Sequence, residues 1–285
     1  MGLFDWFRPK PPPAIPAALW QQTLARYDFL AALTVDEQKR LKTLAEEFLA
    51  SKEFTTGGGL VLSDEICVTI AAQGCLPILQ LGLSAYSGWV GIVVYPDEFV
   101  VRRAIHDDDG IVHEYDDVLA GEAWAGGPLI LSWRDVQLAG QEPDAARDET
   151  DDDGGGPGYN VVIHEFAHKL DMLNGEVDGI PALHSGLDEA SWDAVFLAAF
   201  DDFCRRVDSG EETIIDPYAA SEEGEFFAVF SEAFFLLPAV VDREYPELYT
   251  LFCRYYRQDP LSRTQQPPAP LPGPEHQNSL TNNGL

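Results

Sequence analysis

The chain has 285 residues, with 48 Asp or Glu against 18 Lys or Arg and a formal net charge of −30. That imbalance argues against unaided binding to nucleic acid or to an anionic membrane surface, since both need a basic face. With 46% hydrophobic and 11% aromatic residues, wholesale disorder is excluded, and a chain this long can bury a core without disulfide staples.

Residues 1–16 form a Pro-rich tail. It lacks the basic start, apolar stretch and cleavage site of a signal peptide, and Trp6 stands where N-myristoylation would need Ser or Thr. The spacing of Leu33, Leu41, Leu44, Ala45 and Leu49 predicts a helix over 34–50, with Thr34 as its N-cap. The uncharged run 66–83 is interrupted by Thr69, Gln73, Gly74, Pro77 and Gln80. It reads as a core helix ending at Gly74-Cys75-Leu76-Pro77 and a second buried segment, not as a membrane span.

Short β-branched or aromatic runs bounded by turn residues predict strands at 91–95, 99–102 and 128–133. Residues 141–158 carry seven acids, one base and a Gly-rich end, the composition of a solvated loop insert. Helical patterns follow at 159–173, 191–207, 221–237 and 246–256. Residues 261–285 are rich in Pro, Gln, Asn and Ser and form a disordered tail. Cys67, Cys75, Cys204 and Cys253 show no CxxC spacing and read as small apolar residues in a reducing compartment. Without internal repeats, residues 17–260 are expected to make one mainly helical α+β domain with a small β-sheet, located in the cytoplasm.

Directly after the acidic loop stands Tyr159-Asn-Val-Val-Ile-His-Glu-Phe-Ala-His-Lys-Leu-Asp171. In a helix, His164 and His168 share a face and can place two imidazole nitrogens on one ion. Glu165 points slightly off that face, where it can reach a water beside the metal as a general base. Val161, Val162, Ile163, Phe166, Ala167 and Leu170 make the helix apolar nearly all round. A buried helix that carries His-Glu-x-x-His needs something to satisfy those polar groups, and a metal does so.

A catalytic zinc takes three protein ligands and keeps one open position. Asp171 and Asn174 stand where a metzincin needs Gly and His, which excludes that class. Asp171 lies too far along one straight helix to join both histidines comfortably and is read as an acceptor orienting a histidine ring, with a third-ligand role, as in zincins that use an aspartate, the lesser alternative. The third ligand is sought on 221–237, where Glu225 and Glu232 share a stripe among phenylalanines and are costly to bury unless paired or metal-bound. Glu222 and Glu223 are first-turn acids facing the helix dipole.

Several blocks in one order resemble the Mlc titration factor A family of zinc peptidases, whose catalytic core is distantly similar to anthrax lethal factor. They are Cys75-Leu-Pro-Ile-Leu-Gln-Leu-Gly82, Val94-Tyr-Pro96, Gly110-Ile-Val-His113, Gly127-Pro-Leu-Ile-Leu-Ser-Trp133, His164-Glu-Phe-Ala-His-Lys-Leu-Asp171 with Asn174-Gly175, Asp216-Pro-Tyr-Ala-Ala-Ser221, Glu225-Phe-Phe-Ala-Val-Phe-Ser-Glu232 and Phe252-Cys-Arg-Tyr-Tyr-Arg-Gln-Asp-Pro260. The resemblance spans most of 20–260 and implies a zincin-like domain. It also implies a Zn2+ held by His164, His168 and Glu225, Glu165 as catalytic base and Tyr218 near the metal. Glu232 then becomes a supporting carboxylate or the partner of a buried histidine, and is the next ligand candidate should Glu225 fail. The loop before the zinc helix and both tails depart from the family pattern.

The resemblance implies aminopeptidase-type hydrolysis of peptides by a metal-activated water. The alternative is a regulatory protein that sequesters a repressor of the Mlc type and so modulates sugar-uptake gene expression. A closed structural zinc site is disfavoured, because such sites take a fourth protein ligand and often cysteine. Acids outnumber bases by eight to two in 97–117, seven to one in 141–158 and twelve to two in 185–225. Most of these acids read as a solvated skin, and an effect on cationic peptides at the cleft is what a fall of activity with salt would reveal.

Overall fold

The computed structural model describes residues 12–106, 112–141 and 158–264. Most of the expected acidic loop, at 142–157, and most of both expected tails therefore lie outside the described residues. The N-terminal part is helical: α1 (Ala17–Arg26), α2 (Asp28–Ala31), α3 (Val35–Ser51) and, after strand β1 (Glu53–Thr56), α4 (Asp64–Cys75). Thr34 caps α3 reciprocally, its hydroxyl accepting the Glu37 N–H at 3.3 Å while Glu37 Oε2 accepts the Thr34 N–H at 2.9 Å. This fixes the predicted start of the helix. The uncharged run becomes α4, buried without interruption from Val68 to Cys75, which explains why it has no polar face.

The remaining strands are β2 (Gly91–Tyr95), β3 (Phe99–His106), β4 (Val112–Leu119), β5 (Gly121–Ala123) and β6 (Leu129–Ser132). The four-stranded sheet has the order β1-β2-β6-β5; β1, β2 and β6 are parallel, and β5 runs antiparallel to β6 at one edge. The antiparallel ribbon β3–β4, with Phe99 opposite Leu119, feeds directly into β5. The predicted strands match β2, the first half of β3, and β6. Among the other three, β1 and β5 are too short to show alternation, and the Asp116-Asp117 pair disguises β4.

After α5 (Trp133–Leu138) come α6 (Val161–Asp171), α7 (Glu189–Asp208), α8 (Glu223–Leu236), α9 (Pro238–Glu244), α10 (Pro246–Tyr256) and α11 (Pro260–Thr264). Helix α6 sits centrally between two aromatic clusters. On one side Phe166 meets Phe48, Tyr86 and Trp89 at ring separations of 5.7, 5.0 and 5.8 Å. Gly74 permits that approach, since a Cβ there would stand 2.5 Å from the Phe166 ring. On the other side α8, the most apolar helix, interleaves Phe226, Phe227 and Phe230 with Trp192, Phe196 and Phe203 of α7 and with Phe252 of α10. Each buried ring contributes about 1.5–3 kcal/mol, so the helix bearing Glu225 and Glu232 is firmly fixed.

The packed chain begins and ends slightly outside the expected 17–260 boundary. Ile15 is buried, with its N–H donated to Glu46 Oε1 at 3.0 Å. Beyond Pro260, α11 buries Arg263 against Glu37 Oε1 at 2.7 Å and Gln258 Oε1 at 2.8 Å, a tether that a polar, Pro-rich composition conceals. No single helix among the described residues is long and apolar enough to cross a membrane. Helices α8 and α9 reach the length together but are bent by 119° where they meet, and α8 is buried.

Candidate metal centre

Helix α6 begins at Asn160, whose side-chain oxygen accepts the Ile163 N–H at 3.0 Å. One turn in, His164 and His168 bring their Nε2 atoms to 3.1 Å from each other. Helix α8 crosses α6 so that Glu225 Oε2 lies 3.0 Å from His164 Nε2 and 3.3 Å from His168 Nε2. Tetrahedral ligands on a zinc ion at 2.0–2.1 Å stand about 3.3 Å apart, so this triangle fits one ion. Glu225 Oε2 is buried and aligned for a hydrogen bond with neither ring despite these distances. The three atoms lie close enough together to share one ion. Of the predicted site residues, these three alone among the described residues form a group able to hold a metal ion.

Electrostatics agree with a cation at that point. Burial opposes charge on His164, but the carboxylates of Glu225 and Glu232 outweigh it and raise the imidazole well above its ordinary value. Burial likewise works against Glu225, and the two imidazoles hold its carboxyl far below the usual carboxylate range. A divalent ion bound there would displace a proton held between these groups.

Glu165 is 5% exposed, with Oε2 buried and without a hydrogen-bond partner. Burial, partly offset by His164 and His168, pushes its carboxyl up to about 7. It faces β5: a Cβ on Gly121 would stand 2.5 Å from Glu165 Oε1, so only glycine lets the edge strand lie on this carboxylate. One turn further along α6, buried Lys169 donates to the carbonyls of Trp124 at 2.6 Å and Gly127 at 3.0 Å, tying the β5–β6 turn to the helix. An open cleft of about 260 Å³ is lined by Leu119, Gly121, Glu122, Ala123, Met172, Val177 and Tyr218 together with His164, Glu165, His168 and Glu225.

Tyr218 stands in the 3-10 turn Pro217–Ala220, which the Asp216 carboxylate caps by accepting the Tyr218 N–H at 2.9 Å. Its ring lies 6.4 Å from that of His164, and the residue is 54% exposed and lines the cleft. Glu232 holds His164 from behind, Oε1 accepting from Nδ1 at 2.8 Å. Asp171 does not take the role of orienting a histidine that the sequence suggested. Its Oδ2 accepts the Gly179 N–H at 3.0 Å and Oδ1 is buried without a partner, because the helix ends there and the chain turns back over it. His184 lies away from the cluster, bonded to the Tyr255 carbonyl at 3.0 Å. Sequence reasoning missed Gly121, Lys169, Asn160 and Gln73. Of these Asn160 alone carries a local signal, an N-cap residue directly before an apolar run.

Residues 7–257 match the family of glucose-regulated metallo-peptidase M90. The chain is 40% identical over 248 residues to Mlc titration factor A of Salmonella arizonae, covering 86% of this chain and 92% of that protein. It is 36% identical over 258 residues to Mlc titration factor A of Yersinia pestis, covering 90% of each. The same figures hold for the Yersinia pseudotuberculosis protein of that name.

Proposed function

The chain belongs to the glucose-regulated metallo-peptidase M90 family, and we propose that it is a zinc-dependent peptidase of zincin-like architecture acting on the N-terminal ends of peptides. His164, His168 and Glu225 hold the zinc, Glu165 is the general base, and the described domain is the catalytic unit. The supporting observation is the triangle of His164 Nε2, His168 Nε2 and Glu225 Oε2 with 3.0–3.3 Å sides, set in an open cleft beside a buried carboxylate. Zinc in that position would act as a Lewis acid on a water and on the substrate carbonyl oxygen.

This chain's residues do the rest. The substrate main chain lies along β5, an edge strand paired on one side by β6. Glu165 accepts the proton of the attacking water at its carboxylate and returns it to the leaving amine nitrogen. The Tyr218 hydroxyl donates a hydrogen bond to the developing oxyanion. No Lys or Arg lines the cleft among the described residues, whereas Glu122 does, besides the two carboxylates assigned to the zinc and to the base, which favours a free α-amino group over a terminal carboxylate as the recognised end. The cytoplasm is the compartment that suits four free cysteines. The test is chelator-sensitive cleavage of aminoacyl chromogenic substrates by zinc-loaded protein; loss of cleavage in Glu165→Gln supports the assignment, and full activity in that variant refutes it.

A second reading comes from the name carried by the relatives, which links them to the repressor Mlc. Here the chain binds a repressor of that type and the metal site is secondary. Pull-down of such a repressor by zinc-free protein that cleaves nothing would favour it.

A further inference from the structure

Behind the metal triangle lies a chain of buried polar groups in which the orientation of each side-chain amide is set by its partners. Glu232, 3% exposed, accepts from His164 Nδ1 with Oε1 and from the Asn160 backbone N–H with Oε2. Asn160, 0% exposed, uses its side-chain oxygen to cap α6 at Ile163, so its Nδ2 must be the group facing Gln73 Oε1 at 2.9 Å. Gln73, also fully buried, then has only its Nε2 left, and that donates to the Val136 carbonyl at 3.3 Å. Tyr27 closes the chain from the far side, donating to the same carbonyl at 3.3 Å.

We infer that Asn160 and Gln73 are positioning residues of the metal centre: Gln73 locks the Asn160 amide, and Asn160 fixes both the start of α6 and the carboxylate that orients His164. The inference rests on the zinc reading above. Asn is the residue type the position requires, because it must accept at the helix end and donate to α4 at once. Serine caps a helix about as well as asparagine but cannot reach Gln73 with a donor. Apolar substitution of Gln73 leaves the Asn160 amide free to turn. Either change lets Glu232, and through it the His164 ring, leave the geometry that presents Nε2 to the ion. Outer hydrogen-bond partners of metal ligands are worth roughly 10–100-fold in metal affinity.

The test measures zinc affinity by competition with a chelating dye, alongside thermal melting of the zinc-free proteins. Asn160→Ser and Gln73→Leu are each expected to weaken zinc binding about tenfold or more, and the double variant to be little worse than the singles because they break one chain. Asp188→Ala is the control. It removes an N-cap from α7, where Asp188 accepts the Ser191 N–H at 2.9 Å, and should lower the melting temperature while leaving zinc affinity unchanged. Folded Asn160→Ser or Gln73→Leu protein that binds zinc like the wild type overturns the inference, as does an Asp188→Ala variant that loses zinc equally. Wild-type protein that takes up no zinc would instead overturn the zinc reading itself.

Discussion

Gly121 and Glu165 touch so closely that a methyl group on the glycine would stand 2.5 Å from Oε1 and 2.7 Å from Cγ of the glutamate. The edge strand and the proposed base are therefore set by one missing side chain. Gly121→Ala should displace the carboxylate and lower kcat at least about tenfold, since small misplacements of reacting groups are costly. Zinc content should stay at the wild-type level, because no ligand moves. Metal analysis and steady-state kinetics on the same preparation check this, and unchanged kcat would contradict it.

Glu165→Gln should retain zinc and lose turnover, because the amide fills the same space but cannot accept a proton. Tyr218→Phe should lower kcat about a hundredfold with KM nearly unchanged, the usual cost of one oxyanion donor. The residue is 54% exposed, so the fold should tolerate the change. A Tyr218→Phe enzyme with wild-type kcat would remove the tyrosine from the chemistry.

Glu232→Gln should weaken zinc binding by roughly 10–100-fold. The carboxylate receives two donors, one from His164 and one from the Asn160 N–H. An amide can accept only one of them and turns its own NH2 towards the other. Titration with a competing chelator measures the loss, and equal affinity would show that the histidine needs no such support.

Asp171 offers a pH test. Burial pushes its carboxyl up to about 7, against about 3.9 in an unfolded chain. The folded state thus holds a proton between those values that the unfolded state has released. The stabilising contribution is complete below pH ~4 and is lost as pH rises through ~7. Asp171→Asn has no such titration and can still accept the Gly179 N–H. It should match the wild type near pH 4 and exceed it by a few kcal/mol at pH 8. Urea unfolding of both proteins in chelator, at the two pH values, reads this out; a pH-independent difference would contradict it.

Salt should matter to substrates that carry positive charge. If the chain's acidic excess draws in cationic free-amine peptides, kcat/KM for peptides rich in Lys and Arg should fall as ionic strength rises, while that for free-amine peptides with acidic side chains should not. A flat response for both would leave the −30 charge as surface solvation only.

The chemistry was the legible part of the sequence, and its support was not. His164-Glu165-x-x-His168 and the phenylalanine-rich stripe holding Glu225 and Glu232 announce themselves, because helical periodicity places ligands on one face and apolar neighbours make buried carboxylates costly. The longer helices were readable from the same periodicity, and β2 from its β-branched run bounded by Gly91 and Pro96. Strand β5 was not: three residues, Gly121-Glu122-Ala123, carry no periodicity, yet they form the edge beside the base. Gln73 looked like an interruption in a core helix, and its partners come from distant segments, α5 and the start of α6. Asp171 was read by its spacing from His168, but the chain's turn at Gly179 claims its carboxylate instead. Long-range pairing of polar groups is decided by packing that local sequence does not encode.

The most direct measurement is zinc content against activity for the wild type and Glu225→Ala. One zinc per wild-type chain, peptide cleavage that a chelator stops and zinc restores, and loss of both zinc and cleavage in Glu225→Ala are the predicted results. Full cleavage by metal-free protein, or an active zinc-loaded Glu225→Ala variant, would contradict a metal centre built on His164, His168 and Glu225.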